Sequence, residues 1–343
     1  LSLPHWLDIP LLPADIGCRG VGFKGWQRPV DIRRALQQVA HQHFRRLYVR
    51  LHIVVCEHHL VGGGALWSNS CPEVLRLAEM LMAPVATTIM AKGAIPEEHP
   101  LSLGIIGMHG RESARQAFVE ADVILAVGTR FSDRSASGQS ELPMSTKIIQ
   151  IDIDPGEAGK SARTQVRLVG DAKRALSRII EGLAAQRGES AWSQRIRDIR
   201  DRCQCVIDLD SSPVLPQTII ARLNKLLPKD SIITTEVGQN QMWAAQFIKH
   251  VQPGHFLTSG GLGTMGYGTG AAIGAQVGNP KSRVVNVAGD GSFKMNCNEL
   301  ATIARYRLPV VILLMNNQTL GMVRQWQTLF FDGHYSETTL DTP

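Results

Sequence analysis

The sequence predicts an α/β protein built from two doubly wound parallel-sheet domains. Short runs rich in Val, Ile and Leu recur at 121–128, 147–153, 231–235, 284–288 and 310–315, and each stops at glycine or a polar cluster, as fully buried parallel strands do. Between them lie spans with apolar residues at helical spacing, the alternation of a βαβ protein. With 343 residues, 44% of them hydrophobic, the chain can bury two ordinary cores.

Composition narrows the function classes. The formal net charge is +6, but Lys and Arg are spread along the chain, densest at 44–50 and 195–202, and form no nucleic-acid footprint. No run of eighteen apolar residues is available to span a bilayer, and residues 1–6 lack the basic flank and apolar core of a signal peptide. The expectation is a soluble, cytoplasmic protein with no nucleic-acid or membrane partner. Cys18, Cys56, Cys71, Cys203, Cys205 and Cys297 show no paired spacing and read as reduced thiols.

Residues 6–17 read as a strand and a proline-punctuated linker, the tail of something larger. The expected division is a linker remnant at 1–30, a first domain at 31–185, a linker at 186–212 and a second domain at 213–343. Residues 31–40 predict a helix. Residues 42–59, with His41 just before them, then concentrate His43, His52, His58 and His59, so that five of the eleven histidines fall here, without the His-x-x-x-His spacing and carboxylate of a metal helix. We expect a surface insertion or a locally altered reading frame there, with the regular pattern resuming at Leu60.

Val61-Gly62-Gly63-Gly64-Ala65 opens a helix expected to run through Pro72 to Met82, and 84–88 is the next strand. Glycines at such a turn let a phosphate approach backbone N–H groups. The strand at 121–128 is followed by Thr129-Arg130-Phe131-Ser132-Asp133-Arg134, and that at 147–153 by Asp154-Pro155. Charged groups at several strand tips on one edge fit a large dinucleotide lying across the sheet, or equally structural ion pairing. Residues 172–185 predict a helix, and 188–210 an exposed, charged helical linker.

In the second domain the strand at 231–235 carries Glu236 to Gln241 at its tip. A glycine-rich loop at 259–268 feeds a small-residue helix to Gly278, whose N-terminus favours anionic phosphate. The strand at 284–288 closes with Gly289-Asp290-Gly291, a helix is expected over 296–306, and the strand at 310–315 ends in Asn316-Asn317. A right-handed crossover puts both tips on one edge, so Asp290 and Asn317 face one crevice. A carboxylate and an amide oxygen are hard ligands, suited to Mg²⁺ already carrying two phosphate oxygens. That set points to a diphosphate cofactor.

GDG followed about two dozen residues later by NN resembles the thiamine diphosphate signature. With EVGQNQMWAAQF from Glu236, TSGGLGTMGYG from Thr258, GDGSF from Gly289, MNNQTLGMVRQWQ from Met315, LGIIGMHG from Leu103, VGTRFSDR from Val127 and IDIDP from Ile151, the chain resembles the catalytic large subunit of acetohydroxyacid (acetolactate) synthase. The resemblance runs from Val61 to the C-terminus, with a linker match near 7–10.

It implies Mg²⁺ on Asp290, Asn317 and the Thr319 carbonyl. It implies thiamine diphosphate along Gly238, Gln239, Asn240, Gly263, Gly289, Gly291 and Ser292, with Met265 wedged between the cofactor's rings. Met322, Val323 and Trp326 would line the acceptor pocket, and Arg134 would steer a substrate carboxylate. FAD would lie along Gly62, Gly63, Thr88, Met90, Met108, His109, Gly128, Arg130, Asp133, Asp152 and Asp171. The implied reaction decarboxylates pyruvate and joins its remainder to a second 2-keto acid, giving 2-acetolactate, or with 2-ketobutyrate 2-aceto-2-hydroxybutyrate, in branched-chain amino-acid biosynthesis. A homodimer or tetramer and a small regulatory subunit are the implied partners.

The sequence departs from the family pattern in places. Asn240 stands where many members have His, and Ser132 where many have Asp. The N-terminal domain bearing the family's glutamate and the closing C-terminal helices are not found, so the expectation is a fragment with little or no turnover by itself. Two other readings stay open: another thiamine diphosphate enzyme (pyruvate oxidase, glyoxylate carboligase or a 2-keto acid decarboxylase), or a catalytically silent cofactor-binding module.

Overall fold

Two parallel sheets, each flanked by helices, organise the chain. A computed structural model describes residues 57–132, 134–135, 142–183, 188–203, 207–249 and 251–340, all within one compact unit. The expected helix at 31–40, the strand at 6–17, His41, His43, His52 and Asp133 lie outside the described residues.

The first sheet contains β1 (Glu57–Val61), β2 (Val85–Thr87), β3 (Ser102–Ile105), β4 (Val123–Val127), β5 (Lys147–Asp152) and β6 (Thr164–Val169), all parallel, in the order β3-β2-β1-β4-β5-β6. Helices α1 (Gly63–Trp67) and α2 (Cys71–Leu81) lead from β1 to β2, and α3 (Glu112–Glu120) from β3 to β4; α4 (Ala172–Gly182) and α5 (Ala191–Arg202) follow β6. The helix expected after the GGG turn is thus two helices, broken at residues 68–70, where Asn69 takes a positive φ of 52°.

The second sheet contains β7 (Ile232–Thr235), β8 (Phe256–Leu257), β9 (Val284–Gly289) and β10 (Val311–Met315), again parallel, ordered β10-β9-β7-β8. Its helices are α6 (Pro216–Leu226), α7 (Gln239–Phe247), α8 (Tyr267–Gly278), α9 (Asp290–Lys294), α10 (Leu300–Arg305) and α11 (Gly321–Phe330). The helix expected over 296–306 is α10, entered through a 3₁₀ turn at Cys297–Glu299.

Two expectations need correction. Glu57, His58 and His59 do not belong to a surface insertion: they start the central strand β1 and are buried. The Trp192 indole N–H donates to the Glu57 carbonyl at 2.8 Å, and the His58 ring meets Phe118 edge-on at 5.8 Å. Nor is the charged segment at 188–210 simply an exposed linker. Trp192, Ile196 and Ile199 of α5 are buried with Leu60, Phe118 and Ile124 in the first sheet's core, each such burial contributing about 1.5–3 kcal/mol. Arg195 stays outside, paired with Glu120 at 2.7 Å.

The second core gathers Ile220, Ile233, Ala244, Ile248, Val285 and Val287, and Ile105 from the end of β3 joins it. The two sheets therefore share an apolar boundary. Hydrogen bonds from Arg111 to the Gln246 carbonyl and from Gln246 to the His109 carbonyl at 2.7 Å reinforce it. Among the described residues no helix is long and apolar enough to cross a membrane, and Cys71, Cys203 and Cys297 are free thiols.

Candidate cofactor site

Both sheets reverse strand order once, and open α/β sheets bind ligands outside the carboxyl ends of strands at such a reversal. In the first sheet it lies between β1 and β4, in the second between β7 and β9.

At the second reversal, the tips carry Glu236-Val237-Gly238 and Gly289-Asp290-Gly291. The β9–β10 register pairs Met315 with Gly289, so Asp290 and Asn316 leave adjoining strands level with each other, and Asn317 follows one residue on. Asp290 is buried as the first residue of α9. Asn317 accepts from the Thr319 backbone N–H at 3.2 Å and donates to Gln239 Oε1 at 3.4 Å. The Asn317–Thr319 elbow is pinned by residues 338–340: Thr319 Oγ1 donates to the Thr338 carbonyl at 2.8 Å and Leu340 N–H to the Gln318 carbonyl at 2.9 Å. The oxygen donor set is that of a hard divalent cation.

Gly238, at φ 151° and ψ −166°, precedes α7, whose first residues are Gln239 and Asn240. The Asn240 side chain does not face outward. Its Nδ2 donates to the Glu236 carbonyl at 3.0 Å and the Val287 carbonyl at 2.9 Å, clamping β7 to β9. What Asn240 can offer an anion is therefore its backbone at the start of α7. Ser292 Oγ turns back to the Gly289 carbonyl at 3.3 Å. Met265 lies over the turn: a Cβ placed on Gly291 would be 3.9 Å from Met265 Cε.

The expectation that the α8 N-terminus receives phosphate is overturned by the side chain already there. Glu236, fully buried, accepts from Gly266 N–H at 2.9 Å, Thr269 N–H at 2.9 Å and Thr269 Oγ1 at 3.1 Å.

The first reversal opens into a cavity of about 930 Å³, at the large end of the ~300–1,000 Å³ typical of small-molecule sites. Its wall includes Gly62, Gly63 and Gly128 at the tips of β1 and β4, and Thr88, Met90 and Arg130. Met108, His109 and Arg134 continue it, with Asp152 and Asp171 at the far side. Several of these have partners already. Asp171 caps α4 by accepting from Arg174 N–H, and Asp152 accepts from Asp154 N–H. Burial and the Arg134 charge hold the His109 imidazole below its ordinary pKa.

The second sheet supplies the other wall, through Gln241 and Met242 of α7 and Met322 and Trp326 of α11. Trp326 packs on Phe330 at 5.0 Å; Val323, half exposed, is not part of the lining. Arg134 reaches the glycine-rich loop: a Cβ on Gly263 would meet its Nη1 at 2.8 Å. The structure thus brings Arg134, Gly263, Met322 and Trp326, predicted from three separate motifs, to one region.

The family model described as thiamine pyrophosphate enzyme, central domain, matches residues 59–179, and that described as thiamine pyrophosphate enzyme, C-terminal TPP binding domain, matches residues 236–343. A probable acetolactate synthase large subunit of Methanocaldococcus jannaschii is 43% identical over 337 residues, 96% of this chain and 55% of its own length. The chain belongs to the acetolactate synthase large-subunit family of thiamine pyrophosphate enzymes. An acetolactate synthase of Arthrospira platensis is 39% identical over 97% of this chain and 56% of its own. The isozyme 2 large subunit of Escherichia coli is 41% identical over 82% and 51%. The chain spans about half the length of the curated relatives it matches.

Within this family frame, sequence reasoning overlooked two buried polar groups. One is the network of Thr234, Glu236, Thr269 and Asn286, all fully buried; Thr234 Oγ1 lies 3.1 Å from Asn286 Oδ1 and Asn286 Nδ2 3.4 Å from Thr269 Oγ1. Its signal was Asn286, a polar residue inside the apolar run VVNVA. The other is Lys92, whose side chain is fully buried and paired with Glu97 at 2.8 Å, its ammonium 5.9 Å from the Phe256 ring centroid. Burial lowers the Lys92 pKa, and Glu97 opposes that shift. Nothing in the local pattern marks it.

Proposed function

We propose that this chain provides the thiamine diphosphate and Mg²⁺ site of an acetolactate synthase, acting on pyruvate with pyruvate or 2-ketobutyrate as acceptor. The supporting observation is that Asp290 and the Asn316-Asn317 pair leave the carboxyl ends of the adjoining parallel strands β9 and β10, beside the start of α7 and under Met265. Asp290, Asn317 and the Thr319 carbonyl would hold Mg²⁺; the backbone from Gly238 to Asn240, with Gly289 to Ser292, would receive the diphosphate. When bound, thiamine diphosphate supplies the electron sink for decarboxylating a 2-keto acid.

This chain's own residues bind and orient. Met265, beside the Gly289–Gly291 turn, would contact the rings of the bound cofactor. Arg134 offers a substrate carboxylate a planar pair of donors at the cavity edge. Met322 and Trp326 present an apolar wall that favours the longer side chain of 2-ketobutyrate. FAD is the proposed occupant of the 930 Å³ cavity, where its role is structural. Assembly into a homodimer or tetramer, a small regulatory subunit and a cytoplasmic location complete the proposal.

Calorimetric titration with thiamine diphosphate, with and without Mg²⁺, tests this reading. Wild type is expected to bind only with Mg²⁺, and Asp290→Ala to weaken binding by at least about 10- to 100-fold, the scale of metal-site substitutions. Metal-independent binding, or an unaffected Asp290→Ala variant, would remove the basis for the proposal.

A further inference from the structure

Glu236 is a carboxylate with no solvent exposure, set at the strand-order reversal where a diphosphate is proposed to bind. Its two oxygens divide the start of α8 between them: Oε2 takes Gly266 N–H, and Oε1 takes Thr269 N–H and Oγ1. α8 runs twelve residues, and its positive N-terminal end is therefore already neutralised by a side chain of this chain. The two hydrogen bonds to Thr269 are buried and the one to Gly266 is partly so.

The network behind Glu236 leaves α8 little freedom. Thr234 Oγ1 lies 3.2 Å from the Gly268 carbonyl. A Cβ on Gly268 would meet Glu236 N and Thr235 C at 2.7 Å, so α8 rests directly on the β7 backbone. The peptide N–H that Glu236 Oε2 holds belongs to Gly266, the residue after Met265, at a φ of 83°. The glycine-rich loop therefore ends on the carboxylate one residue from the side chain that overhangs Gly291.

Resting on the thiamine diphosphate reading, we propose that Glu236 is a positioning residue with two effects. It occupies the anion seat of α8, leaving the start of α7 as the place for the diphosphate. It also fixes the loop end so that Met265 stands over the Gly289–Gly291 turn. Glu236 touches neither cofactor nor substrate in this scheme; it acts through Gly266 and Thr269.

Glu236→Gln keeps the shape and replaces one accepting oxygen by a donor that faces an N–H. Two readouts separate positioning from general damage. By titration in the presence of Mg²⁺, thiamine diphosphate affinity should fall about tenfold, the scale of one lost hydrogen bond to a charged group, while inorganic pyrophosphate, which lacks the rings Met265 would contact, should bind as well as before. Adding Met265→Ala to Glu236→Gln should cost no more than the worse single variant, because the two changes remove one effect. Thr269→Ser, which retains the hydroxyl, should behave as wild type.

Equal losses for both ligands, or losses that add in the double variant, would overturn the positioning role. Hydrogen exchange decides the loop contact independently of any ligand: Gly266 and Thr269 amides should exchange at least about tenfold faster in Glu236→Gln, and unchanged exchange would refute the clamp. If wild type takes up no thiamine diphosphate with Mg²⁺, the cofactor reading falls, and the exchange measurement alone then judges whether Glu236 holds the loop.

Discussion

The two strand-order reversals solve one topological problem with different chemistry. At the β1/β4 reversal the strand tips touch backbone to backbone. A Cβ on Gly62 would collide with the Gly128 carbonyl, and one on Gly128 would meet the backbone of Gly64 and Ala65 at 2.7 Å. Gly64 N–H also donates to the Gly128 carbonyl at 3.0 Å. At the β7/β9 reversal the tips are held by side chains, Asn240 across the strands and Glu236 onto α8. The first arrangement depends on the absence of side chains, the second on particular ones. The glycines of the GGG turn are thus explained by contact between loops before any ligand is considered; Gly63, with Met90 Cβ 3.3 Å from where its own Cβ would stand, is the least constrained.

The largest effect should come from breaking the glycine contact. Gly128 also holds a φ of +59°, so Gly128→Ala adds backbone strain to the steric overlap. Gly62→Ala and Gly128→Ala should each destabilise the first sheet by more than about 4 kcal/mol, the range reserved for severe core disruption. Urea unfolding followed through the Trp192 fluorescence reports it, Trp192 being buried in that core. Gly63→Ala should unfold close to wild type, which makes it the internal control.

A second difference is acid sensitivity. Burial pushes the His58 imidazole down to about 3, aided by the His59 charge, and burial pushes His59 down to about 4. Both ring nitrogens of His58 lack a hydrogen-bond partner. Folded-state values below the ordinary 6.5 mean that the unfolded chain takes up protons first. Stability is then complete above pH 6.5 and is lost as pH falls through the window from 6.5 toward 4 and 3. At about 1.4 kcal/mol per unit for each histidine, pH 5 should cost the first sheet roughly 4 kcal/mol. Measured between pH 7 and 5, the Trp192 transition should move to lower urea. A His58→Leu, His59→Val double variant should show a far smaller shift and a higher midpoint at pH 7. A wild-type transition that is flat over this range would contradict the burial of both rings.

How legible the protein was follows the same contrast. β4, β7 and β9 announce themselves as apolar runs because parallel strands bury both faces, whereas β10 carries the same kind of run at the sheet edge and is only partly buried, contrary to the full burial its pattern suggested. β1 hides because its first three residues are Glu57, His58 and His59, placed in the core by the strand's central position and not by any preference of their own. The burial of α5, expected as an exposed charged helix, was masked by Arg195, Arg197, Arg200 and Arg202; the spacing of Trp192, Ile196 and Ile199, at i, i+4 and i+7, was the signal that would have revealed its apolar face. In the site, the residues of the GDG and NN tips were readable because short motifs at strand ends have few geometric outcomes. The orientation of Asn240 was not, since motif matching assigns a position and leaves open whether its side chain or its backbone faces the ligand. Glu236 was visible at a strand tip, but its partner Thr269 lies thirty-three residues on, and no local pattern links them.

The smallest of these effects, and the one that most sharpens the contrast, is at Asn240. Asn240→Ala removes both donations, to the Glu236 and Val287 carbonyls, from a position that is nearly fully buried. The Val287 carbonyl keeps the Glu236 N–H at 3.1 Å, so one acceptor remains partly satisfied and the expected cost is about 1–3 kcal/mol. That loss should appear in the fluorescence of Trp243, which packs against the second core, while the Trp192 transition stays where it was. Asn240→His should fall between, because a neutral imidazole carries one ring N–H and can serve one of the two carbonyls. Side-chain clamping at β7/β9 predicts this graded series, in which stability follows the number of donors. A series with Ala and His equally destabilised would mean that the tips are held by backbone contact at both reversals.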